Sequence, residues 1–204
     1  MSQSTPPLPD APTPNRGASA SNPPDMSHSV LTRLRSGDPD AGRLLDELYR
    51  PAMLRFCLGY LHDPMESEDA VQEIFWRVLR SDALPDNFRP WLYKIARNHC
   101  VAVLRERKRH HADRNPLPTE SIPLDQSGYL TRLVRAEAQH RLAALLAQLS
   151  PEENELLRLR YTEGLSRKDV AEVMDEPETT IKSRLFEAIE KLRKLAGASE
   201  TSSR

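Results

Sequence analysis

The chain has 204 residues, which is enough for one domain or for two small ones with a buried core. Its 29 Lys and Arg residues nearly balance its 30 Asp and Glu residues, so the net charge of −1 points to no class of binding partner. The only two cysteines, Cys57 and Cys100, are far apart among apolar neighbours, which argues against a disulfide scaffold. No apolar run is long enough to span a bilayer and the N-terminus lacks the order of a signal peptide, so we expect no membrane insertion and a cytoplasmic location.

The first 27 residues are rich in Pro, Ser and Ala and contain almost no large apolar side chain. Such a segment cannot bury enough apolar surface to offset the entropy that is lost on ordering. We therefore predict a disordered tail over residues 1–27, with ordered structure beginning at residue 28.

Apolar residues at helical spacing predict four helices between residues 28 and 109. The first is short and ends at Gly37, after which Asp38 and Pro39 are expected to be the N-cap and the first position of the second helix. Pro51 interrupts the apolar pattern of that helix and could bend it. Ser67 or a neighbour is predicted to cap the third helix, whose inward-facing residues are Ala70, Val71, Ile74, Phe75, Val78 and Leu79.

The third helix carries a cluster of acidic residues with no basic residue between them. Its members are Asp63, Glu66, Glu68, Asp69 and Glu73. An exposed acidic face of this kind can meet a basic patch on another protein. A metal site is the alternative, but no histidine other than His62 stands near the cluster, so we predict neither a metal nor a cofactor.

The fourth helix, within residues 87–109, carries seven basic side chains and a single acid, Glu106. Three aromatic residues lie among these basic side chains, namely Phe88, Trp91 and Tyr93. The combination suits an unpaired nucleic-acid strand, because the charges follow the phosphates and the rings offer faces to unstacked bases. The alternative interpretation is a helix with aromatic core residues and a solvated basic face.

Prolines replace the helical pattern between residues 110 and 128, which predicts a flexible linker. A second helical domain is expected over residues 129–196, followed by a tail at residues 197–204. Ser150 begins a capping box with Glu153, and Ser166 is expected to cap the next helix. A turn at Asp175 then leads into a last helix, so the two final helices have the form of a helix-turn-helix. A plain three-helix packing unit is the alternative.

Three motifs follow one another along the chain. They are ESEDAVQEIF at residues 66–75, FRPWLYKIARN at residues 88–98 with Leu104 and Arg105 beyond it, and LSPEE at residues 149–153 with TIKSRL at residues 180–185. In this order they resemble the extracytoplasmic-function group of bacterial sigma factors, over roughly residues 30–196. The resemblance implies an all-α protein of two small helical domains joined by a linker. Such a protein binds core RNA polymerase and directs it to promoter DNA.

The resemblance also implies roles for individual residues. The acidic helix would dock on the polymerase through Asp69, Gln72 and Glu73. The next helix would recognise the minus-ten element and help to open it, with Trp91, Tyr93, Lys94, Arg97, Asn98 and Arg105 as the candidate strand contacts. The recognition helix would read the minus-thirty-five element through Thr179, Thr180, Lys182, Ser183, Arg184 and Phe186. Many such proteins are held by an anti-sigma factor, but no residue indicates whether this one is.

The chain departs from the family pattern in both DNA-binding stretches. In the first stretch, Ala102 stands where an acidic or amide residue is common and Val103 stands where an aromatic residue is common. In the helix-turn-helix turn, Asp175 replaces a common glycine. Asp tolerates a left-handed backbone better than most residues, so we expect the turn to survive. The alternative function is a stand-alone helix-turn-helix regulator, which would not need the acidic helix followed by the basic one. An enzyme is not expected.

Overall fold

The computed structural model describes residues 27–110 and 142–201, and its regular structure in those ranges is helical. The N-terminal unit contains α1 (Ser27–Arg35), α2 (Ala41–Leu61), α3 (Pro64–Leu79) and α4 (Phe88–His110). Residues 142–146 are helical, and the C-terminal unit then contains α5 (Pro151–Leu157), a π-helical turn (Arg158–Thr162), α6 (Arg167–Met174) and α7 (Glu178–Thr201). Among the described helices, none is both long and apolar enough to cross a membrane. Residues 1–26 of the predicted N-terminal tail, nearly all of the linker and most of the helix predicted to follow it lie outside the described residues. The last helix continues to Thr201, so the prediction that a tail begins at residue 197 was wrong.

The N-terminal unit is built on the mutual packing of α2, α3 and α4, with α1 lying against α2 and α4. The apolar stripes expected from the sequence meet in its centre, where Met53, Phe56, Ile74 and Leu92 are fully buried. Tyr49 packs edge-on against Phe88 with 5.7 Å between the ring centroids. Aromatic edge-to-face pairs of this kind add to the free energy gained from burying apolar area.

The start of α2 differs from the prediction. The helix begins at Ala41 rather than at Pro39, because the Asp38 carboxylate accepts the backbone N–H of Asp40 at 2.9 Å and closes a turn before the helix. Asp38 was therefore wrongly predicted as the N-cap. Further along, Pro51 lies inside α2, which continues to Leu61.

The start of α3 matches one of the two predicted alternatives. The neighbour Asp63 is the N-cap, and its carboxylate accepts the N–H of Glu66 at 2.9 Å. Ser67 is buried and donates instead to the carbonyl of Asp63 at 2.6 Å. Pro64 occupies the first turn, where a missing N–H costs nothing.

Two serine capping boxes organise the C-terminal unit. Ser150 exchanges hydrogen bonds with Glu153 at the start of α5, and Ser166 does the same with Asp169 at the start of α6. Both serine caps were predicted from the sequence. The turn between α6 and α7 places Asp175 at φ 56°, so aspartate does adopt the left-handed backbone that glycine often provides there.

The two units are packed against each other in this structure, with α6 lying against α4. The C-terminal unit has its own apolar centre, in which Leu156, Leu159, Val170 and Ile181 are fully buried. This packing brings the second unit onto the basic helix α4, which is the helix expected to bind nucleic acid.

Candidate polymerase and nucleic-acid interfaces

The acidic cluster on α3 is mostly engaged within the protein. Glu68 pairs with Arg50 at 2.6 Å, Glu66 pairs with Arg107, and Asp63 caps the helix. Such pairs neutralise charge that would otherwise be available to a partner. The cluster therefore presents fewer free carboxylates than its composition suggested.

The three predicted polymerase-binding residues lie on the outer side of α3. Asp69 and Gln72 are exposed, and neither forms a side-chain hydrogen bond with another of the described residues. Glu73 is half-buried and accepts from Arg77 at 2.7 Å. Asp69 is thus the acid of the cluster that is free to meet a partner.

An apolar patch that sequence reasoning missed continues the face of Gln72 and Glu73. The side chains of Trp76 and Leu79 are each 51% exposed, although Leu79 was predicted to face the core. Arg80 stacks over Trp76, with its guanidinium carbon 4.5 Å from the ring centroid. The helical spacing from Gln72 to Trp76 was the signal that could have revealed the patch, because residues four apart share a face.

The aromatic residues of α4 do not form the surface that was predicted. Phe88 and Tyr93 are each 1% exposed and belong to the core, where Tyr93 meets Phe56 edge-on at 5.2 Å between centroids. These two rings follow the alternative interpretation, in which the aromatic residues of α4 belong to the core. Trp91 is half-buried, with its ring centroid 5.8 Å from that of Phe88.

The phenol of Tyr93 is not free either. Its hydroxyl donates to Glu163 of the C-terminal unit at 2.8 Å. Burial raises the pKa of the Tyr93 phenol above its ordinary value, and the neighbouring Glu163 carboxylate raises that pKa further. The group therefore stays protonated and acts as a hydrogen-bond donor to the carboxylate.

Two predicted basic strand contacts are occupied by acids of the C-terminal unit. Arg97 donates to both carboxylate oxygens of Glu155, from Nε at 2.6 Å and from Nη2 at 3.2 Å. Lys94 forms an ion pair with Asp175. In this structure neither cation is available to a phosphate.

The second half of α4 remains accessible. Asn98 and Arg105 are exposed and their side chains form no hydrogen bond with any of the described residues, and Lys108 and Arg109 are exposed beside them. Arg107 differs, because it folds back onto Glu66 and the carbonyl of Leu61. Arg105 and Lys108 line a groove of about 1280 Å³ between α4 and the C-terminal unit, whose walls include Leu146 and Leu157.

The helix-turn-helix presents its predicted reading residues to solvent. The exposed ones lie on the first three turns of α7 and are Thr179, Thr180, Lys182, Ser183 and Phe186. Arg184 is the exception, because it is half-buried and paired with Glu176. Among residues 27–110 and 142–201, no three His, Cys, Asp or Glu side chains are grouped so that they could hold a metal ion.

Comparison with known protein families gives two matches, in the same order along the chain. The family model for Sigma-70 region 2 matches residues 45–110, and the family model for Sigma-70, region 4 matches residues 139–192. Between them they include α3, α4 and the helix-turn-helix.

Two relatives match over more than nine-tenths of their own length. The RNA polymerase sigma-H factor of Pseudomonas aeruginosa is 30% identical over 182 residues, which cover 83% of this chain and 93% of the relative. The ECF RNA polymerase sigma factor SigW of Bacillus subtilis is 26% identical over 179 residues, covering 83% of this chain and 96% of the relative.

Two solved structures share the fold. CnrH, in complex with the cytosolic domain of CnrY, superposes with a TM-score of 0.60 at 22% identity, covering 85% of this chain and 99% of CnrH. The sigma factor RpoE of Bartonella quintana, in complex with the anti-sigma factor NepR, superposes with a TM-score of 0.57 at 25% identity, covering 78% of this chain and 98% of RpoE.

Proposed function

This chain belongs to the sigma-70 family of RNA polymerase sigma factors, in the extracytoplasmic-function (ECF) group, and we propose which of its surfaces carry each step of that function. As a sigma factor it binds core RNA polymerase and directs transcription to particular promoters. The observation that carries this conclusion is the match of regions 2 and 4 in order along one chain. We propose a region 2 domain at residues 28–109, a linker at residues 110–128 and a region 4 domain at residues 129–196.

The outer face of α3 is the proposed contact with core polymerase. Its support is the free carboxylate of Asp69 beside the exposed amide of Gln72, with Glu73 on the same face. We add Trp76 to this surface, because its ring is half-exposed on the same face and tryptophan is enriched among the residues that dominate binding energy at interfaces. A basic patch with an apolar centre is the complementary surface that we expect on the polymerase.

The helix α4 is the proposed minus-ten surface. Asn98 and Arg105 can contact the strand without rearrangement, whereas Lys94 and Arg97 require the C-terminal unit to move away. Tyr93 is a core residue, and its hydroxyl donates to Glu163. Trp91 is the ring that can stack on a base near these charges. Base–aromatic stacking and phosphate contacts return about as much free energy as unpairing a base costs, so strand opening needs no ATP and no catalytic residue.

The exposed face of α7 is the proposed minus-thirty-five surface. Residues at the start of a recognition helix reach base edges in the major groove, and Lys182 is an exposed cation at that end. Arg184 is held by Glu176 and would act mainly by positioning the helix or by binding phosphate after release.

The proposed function is tested by run-off transcription on a fragmented genomic library with bacterial core polymerase, in the presence and absence of this protein. Discrete new starts that share paired upstream elements are expected, and they define the promoter. Sequence-specific DNA binding by the protein alone, with no new starts, would instead favour the stand-alone helix-turn-helix regulator.

We also propose a cytoplasmic location, since core polymerase acts there, and an anti-sigma factor as a further partner. The second proposal is supported by the similar sigma factor RpoE, which was solved in complex with the anti-sigma factor NepR. Co-purification of a tagged chain from its own cells, with and without stress, would identify such a partner.

A further inference from the structure

The exposed side of α7 carries a carboxylate among the residues that are proposed to read DNA. Glu187 is exposed on the third turn of the helix, next to Phe186, whose side chain is 48% exposed. Helix positions seven apart share a face, so Glu187 lies on the same side as Thr180, two turns earlier. An acid on this side needs an explanation, because DNA is a polyanion and a negative charge facing it is repelled by the phosphates.

The charge of Glu187 is not neutralised by its neighbours on the helix. Lys191 stands four residues on, which is the best position for a lysine to pair with a glutamate, but its ammonium is held by Glu153 of α5 at 2.8 Å. Arg184, three residues before, is held by Glu176. The Glu187 carboxylate forms no hydrogen bond or ion pair with any side chain that the structure describes. Both of its oxygens are therefore available to a ligand.

The carboxylate leans toward the reading end of α7. Side chains of a helix point back toward its N-terminus and cover the turn before their own Cα. The Glu187 side chain thus extends over the turn of Ser183. The Ser183 hydroxyl donates to the carbonyl of Thr179 at 3.2 Å, so its proton is used within the helix and its oxygen faces outward as an acceptor. This part of the reading face consequently offers acceptors rather than donors.

Acceptors at this place favour bases that present a donor in the major groove. Only cytosine and adenine do so, through the N4 and N6 amino groups, whereas guanine and thymine present acceptors at O6 and O4. Adenine also carries the N7 acceptor beside its amino group, which repels a second acceptor. A carboxylate can only accept, so the cytosine amino group is its best complement.

We propose that Glu187 is a specificity residue of the minus-thirty-five surface and accepts a hydrogen bond from the amino group of a cytosine in the major groove. The inference rests on the proposed function, because α7 meets a promoter only if the protein acts as a sigma factor. Glu187 discriminates chiefly by a penalty against other bases. Where no amino group meets it, the carboxylate is desolvated beside the phosphates without a donor, and binding to that sequence is weakened.

The spacing along α7 limits where the recognised cytosine can lie. The seven residues from Thr180 to Glu187 span about 10 Å of helix, which corresponds to about three base-pair steps of DNA. The base pair that responds to a change at Glu187 should therefore lie within about three base pairs of the one that responds to Thr180→Ala.

The first test compares the base preferences of parent and variant holoenzymes. The full-length protein is combined with bacterial core polymerase and a pool of promoter duplexes, whose minus-ten element is fixed by run-off mapping and whose minus-thirty-five element is randomised. Sequencing of bound and unbound duplexes gives the preference at each position. The parent should prefer cytosine at one position by about tenfold. Glu187→Ala should reduce that preference to within about twofold and keep the preferences at other positions.

Glutamine at residue 187 gives the test a direction that a simple loss of charge does not have. Its amide both donates and accepts, and it pairs with N6 and N7 of adenine. Glu187→Gln should therefore move the preference at the same position from cytosine to adenine. Glu152→Gln, at an exposed acid of α5, is the matched charge control and should keep the preferences of the parent at every position. Residue 187 is exposed, so its substitutions leave the core intact.

The second test addresses the amino group itself. One duplex carries the recognised cytosine, and the other carries 2-pyrimidinone there, which lacks the exocyclic amino group. Weaker base pairing in the second duplex affects every protein alike, so the difference between the parent and Glu187→Ala isolates the contact. The parent holoenzyme should bind the analogue about tenfold more weakly than cytosine, while the variant should bind both duplexes within about twofold.

The inference is overturned if Glu187→Ala leaves every base preference unchanged, or if it strengthens binding equally to all sequences, which marks a carboxylate that only repels phosphates. A full preference for cytosine in Glu187→Gln, or an equal effect of the analogue on the parent and on Glu187→Ala, also overturns it. Failure of the proposed function has a different signature. In that case the parent protein and core polymerase give no new transcription starts and show no base preference at any position of the duplex.

Discussion

Replacing Gly59 by alanine should reveal how tightly the two units are joined. Gly59 lies in α2, and the guanidinium of Arg158, from the π-helical turn, passes directly over it. A methyl group at residue 59 would overlap Nη1 of Arg158 and lie 3.2 Å from its Cζ. The arginine would have to leave the place where it stacks on Tyr60, with its guanidinium carbon 4.0 Å from the ring centroid.

Two opposing free energies set the size of the effect. Alanine in place of glycine stabilises a helix by up to about 1 kcal/mol. Displacing a partly buried cation from an aromatic face costs about 0.5–2 kcal/mol. In the parent these two free energies nearly cancel or leave the variant less stable. In an Arg158→Ala background only the stabilisation of the helix should remain.

The assay is a double-mutant cycle by thermal unfolding of the full chain. About 1 kcal/mol corresponds to a shift of about 2–4 °C in Tm for a protein of this size. We expect Gly59→Ala to raise Tm in the Arg158→Ala background and to leave it unchanged or lower it in the parent. Equal shifts in both backgrounds, which mean zero coupling between the two residues, would refute the contact.

The remaining predictions concern one residue each. Asp69→Arg should weaken core polymerase binding by about tenfold or more, as for a charge reversal at an interface, and unchanged core affinity would contradict its role. Trp91→Ala should lower open-complex formation by about 1–3 kcal/mol while closed-complex binding is kept, whereas loss of the thermal transition would mark a structural residue. Lys182→Ala should cost about 1–3 kcal/mol in promoter binding and leave core binding intact, which filter binding with and without core can separate. Burial and repulsion by Arg77 lower the pKa of His99 below 6.5, so the unfolded chain takes up a proton more readily than the folded one. Tm should therefore fall as the pH drops below about 6.5, and His99→Gln should reduce this dependence of Tm on pH.

Local signals predicted most of the secondary structure. The capping boxes at Ser150 and Ser166 depend on residues three apart, so the sequence contains all the information that they need. The left-handed Asp175 was likewise expected from the backbone preference of its own residue type. The helical class and the helix-turn-helix follow from such short-range effects.

The predicted minus-ten surface was less accurate, for two different reasons. Tyr93, Ala96 and Cys100 are three and four residues apart and form a buried stripe, so the burial of Tyr93 could have been read from its spacing. The sequence could not have revealed the pairing of Arg97 with Glu155 and of Lys94 with Asp175, because those partners are 58 and 81 residues away along the chain. Sequence patterns report which side chains share a face, and they do not report which distant face covers them.

The exposed reading face of α7 is separate from the contact that joins the two units. Thr179, Thr180 and Lys182 meet solvent, while the acids that meet region 2 come from α5, from α6 and from the segments that follow each of them. The residues that read the promoter can thus be exchanged without altering the contact between the two units. Synthetic circuits could exploit this division by grafting new recognition residues onto α7, giving regulators that differ in the promoter they read and keep the same packing of the two units.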